Sequence, residues 1–201
     1  PASEVLIHSS NIGAVKIADM LGKRRLYERA RLMGFGTITG LDVPDEAQGK
    51  LPNPKTWSNL TLPTVSFGHG VSVTPIQIAM SYASVANGGM LLRPRLIKSI
   101  VGTDHRPGQD FETRTIRRVM HPETAERIER MLCEVVESGT GQTAKLPNVA
   151  LAGKTGTAQR VKEDGRGYES GKYISSFIGY VADREPKLVC QIGRASCRER
   201  V

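Results

Sequence analysis

Two short clusters hold residue types that can do chemistry. Lys154-Thr155-Gly156-Thr157 combines an ammonium, two hydroxyls and a position without a side chain. Ser9-Ser10-Asn11 sets two hydroxyls beside an amide. The triplet Gly153-Lys154-Thr155 first suggests a phosphate loop, but G-x-x-x-x-G-K-[ST] needs a glycine where this chain has Asn148. A phosphate loop also runs straight into a helix. Here Gly156-Thr157-Ala158-Gln159-Arg160-Val161 follows, with no apolar stripe of helical period. The apolar run Val149-Ala150-Leu151-Ala152 lies upstream. The stretch from Val149 to Gln159 is therefore expected to be one strand, and nucleotide binding is disfavoured.

Other elements must position these clusters. Ser9-Ser10-Asn11 offers helix caps, and Ile12, Val15, Ala18 and Leu21 recur at helical spacing up to Gly22. A second helix is expected over residues 24–33. Residues 34–63, rich in Gly, Pro and Asn, are expected to form a long loop with little regular structure, which a compact domain keeps only if functional or well packed. Thr74-Pro75-Ile76-Gln77 is a helix start with a capping box, and Asn87-Gly88-Gly89 is its stop. Residues 95–101 and 113–120 read as strands. Residues 122–138 read as an amphipathic helix burying Ala125, Ile128, Met131, Leu132, Val135 and Val136, with Glu123–Arg127 and Glu126–Arg130 on its wet side. After the strand at 149–159 come a polar turn (161–172), a partner strand (173–181) and a third strand from Pro186. Consecutive strands joined by short turns imply antiparallel pairing: an α/β sandwich with helices packed on an antiparallel sheet, not a doubly wound parallel one.

The 201 residues suffice for one domain or part of one. The formal charge of +8 is spread along the chain except at Lys23-Arg24-Arg25 and residues 114–118, and no aromatic series accompanies it. This favours a solvated basic surface over nucleic-acid binding. Cys133, Cys190 and Cys197 form no C-x-x-C pair. Cys133 falls on the apolar side of a predicted helix, as an inert thiol. His8, His69, His105 and His121 lack metal-ligand spacing. No apolar run reaches the ~20 residues a bilayer span needs. The chain begins at Pro1 without an initiator methionine or signal peptide, as a piece truncated at both ends would. At the other end, the Arg-rich decapeptide 192–201, IGRASCRERV, interrupts what starts as a strand. It reads as an in-frame translation of a sequencing adapter rather than a natural basic tail. Residues 192–201 are set aside and residues 1–191 taken as the domain.

Singly, S-x-N and K-T-G are common. In this order they match two of three elements of penicillin-interacting serine enzymes, S-x-x-K, S-x-N and K-T-G. The blocks SSNIGAVKIADMLG, SFGHGVSVTPIQIAMSYASVANGG, VALAGKTGTAQ and SSFIGYVA resemble class B penicillin-binding proteins, the monofunctional D,D-transpeptidases of peptidoglycan synthesis. The resemblance covers residues 9–191. It implies the penicillin-binding, β-lactamase-like transpeptidase sandwich, and a substrate peptide ending in D-Ala-D-Ala. On this resemblance Lys154, Thr155 and Thr157 bind the terminal carboxylate, and Gly156 lets substrate backbone lie close. The Thr157 N–H supplies half of an oxyanion hole, Ser9 relays a proton, and Asn11 bonds the substrate amide. It implies β-lactams as inhibitors, membrane cell-wall synthesis partners and no cofactor, metal or nucleic acid. It further implies a single-pass anchor upstream, with the domain outside the cytoplasmic membrane. The pattern departs in one respect. No S-x-x-K occurs in the chain, and Leu6 stands where Ser3 would need its lysine. The nucleophile and its lysine are therefore expected upstream. Alternatives of the same fold are a β-lactamase or D,D-carboxypeptidase, which would deliver water, and a non-catalytic β-lactam sensor.

Overall fold

The structure is a computed structural model that describes residues 1–101, 107–162 and 167–198. Five α-helices are described: α1 (Ala2–Ile7), α2 (Asn11–Leu32), α3 (Thr61–Ser66), α4 (Pro75–Ala86) and α5 (Pro122–Glu137). Four short strands, β1 (Met90–Leu92), β2 (Ser99–Val101), β3 (Pro107–Asp110) and β4 (Thr115–Arg118), pair antiparallel as β1–β4 and β2–β3. Three long strands, β5 (Leu151–Val161), β6 (Tyr168–Val181) and β7 (Val189–Arg198), form an antiparallel sheet in the order β5-β6-β7.

Helix α4 starts as its sequence requires. Thr74 Oγ1 accepts from the Gln77 N–H at 3.3 Å, and Gln77 Oε1 accepts from the Thr74 N–H at 3.0 Å. It stops where Gly88 and Gly89 take φ of 77° and 96°. Gln77 is itself buried, and its Nε2 donates to the carbonyls of Thr37 (2.6 Å) and Gln48 (2.9 Å). One amide thus fixes the long 34–63 segment to a helix, which explains how the loop stays ordered. Helix α5 buries Ala125, Leu132, Val135 and Val136 of its predicted stripe, while Ile128 and Met131 are partly covered. The Glu126–Arg130 pair forms at 3.6 Å. The core joins α4, α5 and the sheet through Val85, Leu132, Ala152 and Tyr180, with Cys133 packed against it. Burial and the carboxylate of Glu129 push the Cys133 thiol pKa up, consistent with an inert side chain.

Several expectations need correction. Residues 2–7 form α1, too short to show a period in sequence. The division into two helices at Gly22 is borne out: Gly22 leaves helical geometry (φ 75°, ψ 155°), and α2 is two helical halves joined at that kink. Of its predicted stripe only Ala18 is buried, and Ile12 is 72% exposed. The 34–63 loop contains a 3-10 turn at Pro54–Thr56 and leads into α3. The strand expected at 95–101 shrinks to β2, the strand expected at 113–120 to β4, and β1 and β3 were not foreseen. Strand β7 continues past Gln191 to Arg198. Pairing is a backbone interaction, so polar residues can extend a ladder that apolar patterning would have ended. His105, residues 163–166 of the expected turn and residues 199–201 lie outside the described residues.

Candidate active site

Strand β5 carries the first cluster at the edge of the three-stranded sheet. Its glycines are extended rather than left-handed, and Lys154 sits mid-strand opposite Ile178, so the phosphate-loop reading fails on backbone geometry as well. Register gives the strand two functions. The Ala182 N–H donates to the Ala150 carbonyl at 2.8 Å, which makes 150 and 182 a directly bonded pair. Alternation then directs the N–H and C=O groups of Ala152, Lys154 and Gly156 toward β6. Those of Thr155 and Thr157 point to the open edge, where an extended peptide can pair.

Side chains complete this edge. Lys154 is half-buried, its Nζ donates to the Thr155 carbonyl at 3.1 Å, and burial holds its pKa below the ordinary lysine value. Gly156 has a structural reason to be glycine: a Cβ there would lie 2.6 Å from Ser176 Oγ on β6. Gly153 meets the same limit against the Phe177 ring, at 2.5 Å. The Thr155 hydroxyl, expected from sequence to serve a ligand, donates to Thr140 Oγ1 at 2.9 Å in this structure.

The second cluster sits in the turn between α1 and α2. Ser9 adopts φ 53°, a left-handed conformation uncommon for a residue with a Cβ. Ser10 is the N-cap, its Oγ accepting from the Gly13 N–H at 3.1 Å. Capping therefore occupies Ser10, and Ser9 and Asn11 on either side remain exposed. A Cβ on Gly13 would lie 2.4 Å from Val5 Cγ2, so close contact between α1 and α2 tightens the turn.

These two clusters, 145 positions apart along the chain, line one cleft of ≈ 700 Å³. Ser9, Asn11, Lys154, Thr155, Gly156 and Thr157 all face it. The turn after α5 holds its two sides together. The Thr140 N–H donates to the Ile7 carbonyl at 3.2 Å, and its hydroxyl accepts from Thr155. Such a site offers one cation, several hydroxyl and amide donors and an open strand edge, a set suited to a peptide ending in a carboxylate.

Comparison with known proteins shows the family of the chain. The family described as Penicillin binding protein transpeptidase domain matches residues 1–193. The chain belongs to this family. Among its relatives, the probable peptidoglycan D,D-transpeptidase PbpC of Pseudomonas aeruginosa is 36% identical over 189 residues, covering 94% of this chain and 31% of that protein. Stage V sporulation protein D of Bacillus subtilis is 35% identical over 190 residues, covering 94% and 29%. The crystal structure of penicillin binding protein 3 from Mycobacterium tuberculosis complexed with aztreonam superposes with a TM-score of 0.88 at 32% identity, covering 98% of this chain and 45% of that one. The chain thus spans about a third of the length of the curated relatives it matches. The fold is that of the penicillin-binding transpeptidase domain, as the ordered motifs implied.

The sequence does not point to Ser66 and Phe67 as cleft-lining residues, nor to Thr140 as the partner of the Thr155 hydroxyl. Ser66 and Phe67, at the end of α3, line the cleft from a segment read only as part of a family block. Thr140 follows Gly139, which the sequence marked only as a helix stop. A Cβ at Gly139 would lie 2.5 Å from the Ile7 carbonyl oxygen, so this glycine permits the contact that brings Thr140 to the site.

Proposed function

We propose that the full-length protein is a peptidoglycan D,D-transpeptidase working through a serine acyl-enzyme. The observation that carries this reading is the common cleft of the S-x-N turn and the K-T-G strand edge. Lys154 supplies positive charge, and Thr155 and Thr157 supply hydroxyls, for the terminal carboxylate of a stem peptide ending in D-Ala-D-Ala. The extended peptide adds to the free edge of β5. Asn11 bonds the substrate amide. Ser9 relays a proton to the leaving amine and from the attacking one.

The nucleophilic serine and its lysine belong to an S-x-x-K outside these 201 residues, which contain none. The serine Oγ attacks the penultimate D-Ala carbonyl carbon, the C–N bond breaks, and D-Ala leaves with the proton. An amine of a neighbouring stem peptide then attacks the ester, forming the cross-link and returning the proton to the serine. The Thr157 N–H, on the open edge, donates to the oxyanion of each tetrahedral intermediate, a contact typically worth ~3 kcal/mol. β-Lactams acylate the same serine. Among the described residues no helix is long and apolar enough to cross a membrane; the reading places a single-pass anchor elsewhere in the protein, and this domain on the extracytoplasmic side among membrane cell-wall synthesis partners. Residues 192–201 are proposed to be adapter-derived.

Fluorescent penicillin labelling tests the assignment. The full-length protein is expected to label covalently and the isolated 201-residue chain to stay unlabelled. Labelling of the isolated chain would place the nucleophile within it and overturn the assignment.

A further inference from the structure

We infer that Thr140 is a positioning residue for carboxylate capture, acting through the Thr155 hydroxyl that it anchors. The inference rests on the transpeptidase reading and adds a residue to which neither sequence motif points. Thr140 contacts both walls of the cleft. Its backbone N–H donates to the carbonyl of Ile7, two residues before Ser9. Its side-chain oxygen accepts from Thr155 at 2.9 Å.

A threonine hydroxyl carries one proton and two acceptor sites. In this structure the Thr155 proton points to Thr140, which holds the side chain in one rotamer at the cleft rim. An arriving carboxylate, the stronger acceptor, takes that proton by rotation about the Cβ–Oγ bond. Thr140 is exposed and can then turn its own O–H toward the freed Thr155 oxygen. The pair stays hydrogen-bonded in both states, and only the direction of the bond reverses. Without the Thr140 hydroxyl, Thr155 loses its anchor before the ligand binds and its donor afterwards. Thr140 need not touch the ligand.

The test uses the full-length protein and two probes, benzylpenicillin and its methyl ester, which lacks the anionic carboxylate. Thr140→Val keeps the branched shape and the backbone N–H but removes the hydroxyl. It is expected to slow acylation by benzylpenicillin about fivefold, the worth of one ordinary hydrogen bond, and to leave the ester rate unchanged. Thr140→Ser should restore the benzylpenicillin rate, and Thr140→Val should add nothing in a Thr155→Val background. Equal losses with both probes, or a Thr140→Ser variant as slow as Thr140→Val, would make Thr140 merely structural and overturn the inference. Failure of the unmodified protein to react with either probe would overturn the transpeptidase reading, and the inference with it.

Discussion

Gly156 has a steric reason to be glycine and, on the proposed function, a second in the passage of substrate, and a pair of substitutions tells them apart. A Cβ at this position would meet Ser176 Oγ at 2.6 Å, but Ser176 Cβ only at 3.9 Å. The collision thus involves one hydroxyl that can rotate away, and the backbone at Gly156 is not left-handed, so alanine adds no φ strain. Rotating Ser176 gives up its long 3.5 Å contact with the Gly156 carbonyl and leaves the preferred rotamer, a cost of about 1 kcal/mol. Gly156→Ala should therefore destabilise the domain by about 1 kcal/mol in urea unfolding. In a Ser176→Ala background the same change should cost ~0, a coupling that a double-mutant cycle reads directly. Acylation should behave differently. If an extended substrate lies against Gly156, the Gly156→Ala/Ser176→Ala protein stays stable yet reacts at least tenfold more slowly with penicillin. An undiminished stability penalty in the double variant would refute the steric argument. Full recovery of acylation would refute close passage of substrate over Gly156.

Lys154 should give acylation an alkaline limb. Because burial lowers its pKa below 10.5, the ammonium is lost at lower pH than in a free lysine, and carboxylate capture weakens as pH rises through that value; Lys154→Arg, always charged, should move the limb upward, and an unmoved limb in the pH–rate profile would assign it elsewhere. Ser10→Ala removes the cap of α2 and should cost about 1 kcal/mol of stability by chemical denaturation, whereas Ser10→Asp should retain most of it; equal losses would show that the Ser10 Oγ contact with Gly13 contributes little.

Local physics made part of this molecule legible in its sequence. The capping box at Thr74 and Gln77, the apolar stripe of α5 and the antiparallel order of the last three strands follow from short-range chemistry and periodicity. Elements that depend on long-range partners were not legible. Strands β1 and β3 are three and four residues long, and pairing across the fold defines them rather than any alternation of their own. The stripe on the first half of α2 is helical in period, yet Ile12 and Leu21 remain exposed because periodicity specifies a helix and not what covers it. For the site, the motifs named Ser9, Asn11 and Lys154 through Thr157, and the cleft brings them together. Thr140 was invisible because its importance lies in two contacts, to Ile7 and Thr155, that only the folded chain creates. Ser10 shows the converse: three adjacent cap formers left open which one caps, and the backbone decided it.

A crystal structure of the full-length protein acylated by benzylpenicillin tests the central claim most directly. The shared cleft predicts the penicillin carboxylate within about 3.2 Å of the Thr155 or Thr157 hydroxyl, with the Lys154 ammonium beside it and Asn11 on the amide side chain. A carboxylate bound away from β5, or an acyl group leaving the Ser9–Asn11 turn untouched, would contradict the claim that these two clusters form one site.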